Sequence, residues 1–283
     1  MRAIYMPADA HSGIVKAFYE RNTRRFLRWG GGSREGVIHR EVWGPGVETR
    51  EQAFQYVHEV LLRRLPALDR PVRVLDLGCG VGSSLFYLCR HAGQNIEAVG
   101  VTISPTQVAL AKEKAEEWGL AQQTTFLEAD FTDLPALAPF DFVYSIEAFV
   151  HASSAQAYLS QVSDVLLPTG RLCLIDDFLE SSVDNNQLDR FRDGWRVQSL
   201  VSAQELKEIA SGFELSLSND TNLTPYLNLG RPRDQFIKGM LAIPGVRKLR
   251  SEYIKGLNGG DALQACLKGG LITYRVVEFE KRS

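Results

Sequence analysis

The 283-residue sequence has no surplus of positive charge: 32 Lys and Arg face 34 Asp and Glu, a net of −2. A nucleic-acid binder usually carries a basic excess, so that class is not expected. Two local clusters, Arg21 with Arg24 and Arg25, and Arg231 with Arg233, read as solvated faces. Cysteine is scarce. Cys79, Cys89, Cys173 and Cys266 have neither zinc spacing nor the density of a disulfide scaffold. Three of them lie in apolar runs or a glycine turn, which suits reduced thiols and a cytoplasmic location. No apolar run approaches the length of a membrane span, and the first residues lack a long apolar core segment. Neither a membrane span nor a signal peptide is expected. Internal repeats and low-complexity tracts are also lacking. The hydrophobic content of 45% suits a globular chain with a full core.

What is present centres on Val72 to Gly82, V-R-V-L-D-L-G-C-G-V-G. Val72, Val74, Leu75 and Leu77 read as a buried parallel strand. The strand breaks into Gly78, Gly80 and Gly82, and a helical run follows. Strand, glycine turn and helix present backbone N–H groups to a ligand at the carboxyl edge of an α/β sheet. A dinucleotide site wants a third glycine where Ser83 stands and an acidic residue where Thr102 stands. That reading is disfavoured.

Around this turn the pattern alternates. Thr49 to Leu65 reads as a helix capped by Thr49 and Gln52. Helices are expected from Ser83 to His91, from Pro105 to Trp118 behind a Ser104 cap, and from a Ser153 cap to near Leu167-Pro168. Strands are expected at 96–103, 124–131, 140–149 and 171–178. The stretch from Leu179 to Leu200 is polar and acidic without a clear period, and Ser202 to Gly212 reads as a capped helix. Phe213 to Ser218 and Leu271 to Glu280 read as closing strands. The expected fold class is therefore α/β: a Rossmann-like, doubly wound, mostly parallel seven-stranded sheet. An N-terminal helical arm and cap (1–68) precedes the main domain (69–283), and a helical lid (about 221–267) is inserted before the last strand.

Four segments, V-L-D-L-G-C-G-V-G, V-G-V-T-I-S-P-T-Q (Val99–Gln107), F-L-E-A-D-F (Phe126–Phe131) and F-D-F-V-Y-S-I-E-A-F-V-H-A (Phe140–Ala152), carry a family resemblance. Residues 72 to 179 resemble the class I S-adenosylmethionine-dependent methyltransferases, most closely the sterol side-chain and tocopherol methyltransferase group. The resemblance implies S-adenosyl-L-methionine as cofactor. It places Asp76, Gly78, Cys79, Gly80 and Ser145 around its methionine end, with the Gly78 carbonyl taking the amino group and backbone N–H groups facing the carboxylate. It gives Thr102, Ile103 and Gln107 the ribose, though most class I enzymes use an acidic residue there. It gives Asp130 the adenine amino group, with Phe131 stacked beside the base.

Glu147 follows the apolar run of the fourth strand, where partial desolvation is expected to raise the carboxyl pKa and suit a general base. His151 is the second catalytic candidate. A metal pair of Glu147 and His151 is not expected, since no further ligands cluster near them in the sequence. Tyr19, Trp43, Trp195 and Tyr226, with Trp29 and Phe236, are candidates to line an acceptor site. Arg231, Arg233 and Lys238 are placed to grip a diphosphate or carboxylate. The functional expectation is methylation of a small apolar metabolite, with C-methylation of an isoprenoid or related natural product first. The alternatives are O- or N-methylation of a phenolic or amine natural product, and a non-catalytic cofactor-binding module. The partner expected is a small-molecule substrate; homo-oligomer formation stays open.

Overall fold

The computed structural model describes residues 13, 15–17, 20, 23, 37–180, 185–249 and 251–283. Seven strands form one sheet in the order β3-β2-β1-β4-β5-β7-β6. They are β1 (Val72–Leu77), β2 (Ile96–Thr102), β3 (Thr124–Glu128), β4 (Phe140–Ile146), β5 (Leu166–Leu179), β6 (Leu215–Asn222) and β7 (Ile272–Lys281). The first five pair in parallel, and β7 runs antiparallel between β5 and β6. This is the expected mostly parallel, doubly wound sheet.

Burial on both faces explains the apolar density of the strands. Along β1, Val72 and Val74 join one core with Phe86, Phe126 and Tyr144. Leu75 and Leu77 join the other with Phe149, Tyr158 and Leu159. The flanking helices are α1 (Arg50–Leu62), α2 (Ser83–His91), α3 (Pro105–Glu117), α4 (Ala155–Val165), α5 (Asn186–Trp195) and α6 (Ala203–Ser211). Both halves of the Thr49–Gln52 capping box are present on α1.

Three local expectations are corrected. Ser154, not Ser153, caps α4: its backbone is extended and its Oγ accepts from the Ala157 N–H at 3.1 Å. That helix stops at Val165, because β5 already begins at Leu166 and passes through an irregular register at 167–170 before pairing Arg171 with Phe142. The aperiodic stretch after Leu179 holds α5, capped by Asn185, with Leu188 and Phe191 buried one turn apart.

Between β6 and β7 lie α7 (Pro232–Ala242) and α8 (Glu252–Lys268). Helix α8 crosses α5 at glycines. A Cβ on Gly194 would stand 2.5 Å from the Gly259 Cα and 2.7 Å from the Lys255 carbonyl oxygen. The contact is fastened by Arg190, which reaches Asp261 at 2.8 Å and Asn258 Oδ1 at 2.6 Å. No helix among the described residues is long and apolar enough to cross a membrane.

Gly194→Ala is expected to force the two helices apart at a cost of about 1–3 kcal/mol. Gly239→Ala, where nothing lies within 4 Å of the added Cβ, is expected to be neutral or mildly stabilising. Thermal melts of the two variants check this; equal melting temperatures would refute the crossing.

Candidate active site

The strand order reverses between β1 and β4, and a cavity of about 1120 Å³ opens at their carboxyl ends. Its floor is the glycine turn. Gly78, Gly80 and Gly82 have φ of +91°, +54° and +83°, which side-chain-bearing residues avoid. A Cβ on Gly78 would lie 2.3 Å from the Cβ of Ala148, so the cradle exists only with glycine there. The N–H groups of Gly78 and Cys79 both donate to the Val101 carbonyl at 2.9 Å, and that of Gly82 donates to Cys79. Gly80 and Val81 keep N–H groups with no backbone acceptor among the described residues. The expectation that the turn's N–H groups face a ligand therefore narrows to these two.

Asp76, one residue before the end of β1, is 2% exposed. Its Oδ2 accepts the Ser84 hydroxyl at 2.6 Å, and Tyr144 donates in turn to Ser84 at 3.0 Å. Burial pushes the carboxyl up to about 7, against the hydrogen bonds that favour its charged form.

The second wall is the end of β2. The Thr102 hydroxyl donates to Gln107 Oε1 at 2.6 Å, and Gln107 Nε2 donates to Thr23 Oγ1 at 3.1 Å. Gln107 thus ties the arm to β2 instead of returning to the helix cap. Ser104 does cap α3, accepting from the Gln107 N–H at 3.2 Å. Glu20 reaches the same helix end: its carboxylate takes the hydroxyls of Ser104 and Thr106, which hold it below the usual range. Asp130 Oδ1 accepts the N–H of Thr132 at 2.8 Å and its hydroxyl at 2.7 Å, capping the next turn while the residue lines the cavity. Phe131 lies beside the turn, 3.8 Å from the position of a Gly78 Cβ.

The third wall holds the charge. Glu147 stands at φ +50°, a left-handed conformation that costs a non-glycine residue about 1–3 kcal/mol. Its Oε1 accepts the Arg40 N–H at 2.9 Å and the Tyr274 hydroxyl at 3.0 Å, and Arg40 Nε lies 3.2 Å away. Among the described residues, Oε2 has no hydrogen bond. The Arg40 fork grips Asp177 at 2.8 and 2.6 Å, and its guanidinium carbon sits 4.4 Å over the Tyr274 ring. Burial opposes the Arg40 charge, but Asp177 and then Glu147 hold it firmly protonated. Burial first and Glu147 second push the Tyr274 phenol well up.

Beside Arg40 lie two imidazoles. His39 Nδ1 is 3.1 Å from the Arg40 carbonyl, which only accepts, so Nδ1 carries the proton. The His39 and His58 Nε2 atoms are 2.9 Å apart, so His58 donates to His39. His58 Nδ1 is then a buried lone pair without a partner. Burial lowers both rings, His58 far more.

The cavity wall brings together Asp76, Gly78, Cys79, Gly80, Thr102, Ile103, Gln107, Asp130, Phe131, Glu147, His151 and Trp195. It leaves out others. Ser145 is buried at 1% exposure and donates to the Leu77 carbonyl at 2.8 Å. Trp43 and Tyr226 pair with each other through the backbone, the Trp43 N–H donating to the Tyr226 carbonyl at 2.7 Å. Phe236 faces solvent. Tyr19 and Trp29 lie outside the described residues. Arg40, His58, Asp177 and Tyr274 carry no motif of their own; His39 is legible only as a polar residue in a glycine-rich loop. No group of three or more His, Cys, Asp or Glu among the described residues could hold a metal ion.

Comparison with known proteins places this geometry. A family model described as a methyltransferase domain matches residues 74–170. The O-methyltransferase rstn1 of Aspergillus nomiae is 34% identical over 188 residues, covering 64% of this chain and 81% of the relative. The sterol 24-C-methyltransferase ERG6B of Gibberella zeae is 33% identical over 136 residues, 48% of this chain but only 35% of that protein. In fold, geranyl diphosphate C-methyltransferase from Streptomyces coelicolor superposes with a TM-score of 0.74, covering 98% of this chain and 99% of that one at 15% identity. Its structure contains S-adenosyl-L-homocysteine. With four-fifths of an Aspergillus enzyme matched and a glycine cradle that admits no Cβ, the chain belongs to the class I methyltransferases that use S-adenosyl-L-methionine.

Proposed function

We propose that this enzyme methylates a hydroxyl oxygen of a small, largely apolar acceptor, with Glu147 as the proton acceptor. The observation that carries this is the Glu147 carboxylate: one oxygen fixed by Arg40 and Tyr274, the other without a hydrogen bond among the described residues. When bound, the cofactor supplies an electrophilic methyl group on a sulfonium. An attacking hydroxyl becomes strongly acidic as it takes the methyl, so a positioned carboxylate suffices to remove the proton. Arg40 and Tyr274 prevent the carboxylate from swinging away and fix which oxygen faces the cavity.

The remaining roles follow from the walls. Gly80 and Val81 N–H groups suit the cofactor carboxylate, and Asp76 with the Gly78 carbonyl suits its amino group. Thr102, Ile103 and Gln107 suit the ribose, and Asp130 with Phe131 the adenine. His151, buried at 8% exposure beside the cavity, suits acceptor positioning.

C-methylation of an isoprenoid alkene is the second reading. Trp195 on the cavity wall favours it, because an aromatic face stabilises the carbocation such a reaction leaves. Trp43, Tyr226 and Phe236, however, stand away from that wall. Similarity to the Aspergillus O-methyltransferase also weighs toward oxygen. Incubation with methyl-labelled cofactor and candidate acceptors separates the readings: label on oxygen supports the first, label on carbon the second. A silent cofactor-binding module would give binding by calorimetry and no labelled product with any acceptor.

Three outcomes are expected. Glu147→Gln should lower kcat by about 10²-fold or more at unchanged cofactor affinity; unchanged turnover removes Glu147 from this role. Arg40→Leu strands Asp177, 2% exposed, and should cost about 3–5 kcal/mol in denaturant unfolding; a loss under 1 kcal/mol would contradict the clamp. Only ionised Asp76 attracts the cofactor ammonium, so cofactor affinity should rise as pH climbs through about 7 and flatten in Asp76→Asn. A pH-independent affinity in the parent protein, measured by calorimetry, would exclude that contact.

A further inference from the structure

His58 stands on the buried side of α1, 1% exposed, with Val57, Val60 and Leu61 buried around it on the same helix. Its Nε2 is 2.9 Å from His39 Nε2, while its Nδ1 has no hydrogen bond among the described residues. An apolar side chain would fill such a place without leaving a buried nitrogen unpartnered, so packing does not account for a histidine there. The bond to His39 does, because it continues into the site.

The continuation runs through single atoms. His58 Nε2 donates to His39 Nε2, His39 Nδ1 donates to the Arg40 carbonyl at 3.1 Å, and the Arg40 N–H donates to Glu147 Oε1 at 2.9 Å. Both backbone polar groups of Arg40 are thereby engaged. Burial lowers the basicity of both rings, which keeps them neutral with one N–H each, as this direction of donation requires. The His39 ring meets His58 edge-on with centroids 4.8 Å apart and is tilted against Phe54. Helix α1 also holds the loop beyond Arg40, where the Val42 N–H donates to the Ala53 carbonyl at 2.9 Å. Ala53 and His58 therefore tie the loop to one helix on both sides of the residue that grips Glu147.

We propose that His58 and His39 are positioning residues for the proton acceptor: His58 fixes the His39 ring, His39 fixes the Arg40 backbone, and Arg40 presents Glu147. Neither imidazole receives the acceptor's proton, since both His39 nitrogens are bonded and His58 is buried. The proposal rests on the assignment of Glu147 as that proton acceptor.

The test is a mutant cycle on the full chain. Amide exchange by NMR, which needs no acceptor, is read first. In His58→Leu the Arg40 amide should exchange about tenfold faster while the Val57 and Leu61 amides of α1 keep their rates. Turnover is then measured with labelled S-adenosyl-L-methionine and the best acceptor from a panel of phenols, naphthols and prenyl alcohols. His58→Leu should lower kcat about tenfold at unchanged cofactor affinity. His58→Gln, whose amide N–H replaces the Nε2 donor, should recover most of that loss. On a Glu147→Gln background His58→Leu should cost nothing further, whereas general structural damage would lower kcat on both backgrounds alike. If His58→Leu loses its cooperative melt, His39→Leu takes its place in the cycle; if no acceptor is methylated, the exchange rates decide. Unchanged turnover in Glu147→Gln removes the assignment beneath the proposal. A fall there with no fall in His58→Leu, with an equal fall on both backgrounds, or with an unchanged Arg40 amide overturns the proposal alone.

Discussion

Arg40 is the residue on which the charged wall of the cavity depends. It donates from its backbone to Glu147, grips Asp177 with both ends of its fork, and lies over the ring of Tyr274. Four groups from a loop, β4's end, β5 and β7 thereby become one unit. None is stable there alone. Asp177 and Tyr274 are buried, and Glu147 holds a backbone conformation that only surrounding contacts can enforce. A carboxylate so held cannot relax toward water, and it presents one defined oxygen to whatever fills the cavity.

The glycine turn answers a different constraint, closeness. Ala148 follows Glu147 directly, and its Cβ occupies the space a side chain on Gly78 would need. The glycine turn and the residues that follow β4 are thus packed directly against each other. The Thr102–Gln107–Thr23 chain and Glu20 on the α3 terminus fasten described residues of the arm over the opposite wall. The arm therefore belongs to the site through hydrogen bonds and not through motif residues.

The sheet and the glycine turn were legible because their signals are local: short apolar runs, punctuating glycines, and Ser104-Pro105 at a helix start. Helix α5 was hidden because only Leu188, Phe191 and Trp195 mark its buried side among charged neighbours, although their spacing and the Asn185 cap were available. The Arg40 cluster was out of reach for another reason. Arg40 meets Glu147 and Asp177 at separations of 107 and 137 residues, and no local pattern encodes such a meeting. Ser145, Trp43 and Tyr226 stand off the cavity wall: the Ser145 hydroxyl bonds the Leu77 carbonyl, and the main chains of Trp43 and Tyr226 pair with each other. For Gln107 one residue does two jobs, its N–H bonded to the helix cap and its side chain to the arm.

The central claim is that the product nucleoside sits in the Gly78–Gly82 cradle with its sulfur facing the β4 end, where Glu147 waits. A crystal structure of the chain with S-adenosyl-L-homocysteine tests it most directly. The account predicts the amino-acid moiety on Gly80 and Val81, adenine beside Asp130 and Phe131, and sulfur turned toward Glu147. Density for the nucleoside outside this cavity, or a sulfur directed away from Glu147, would contradict it.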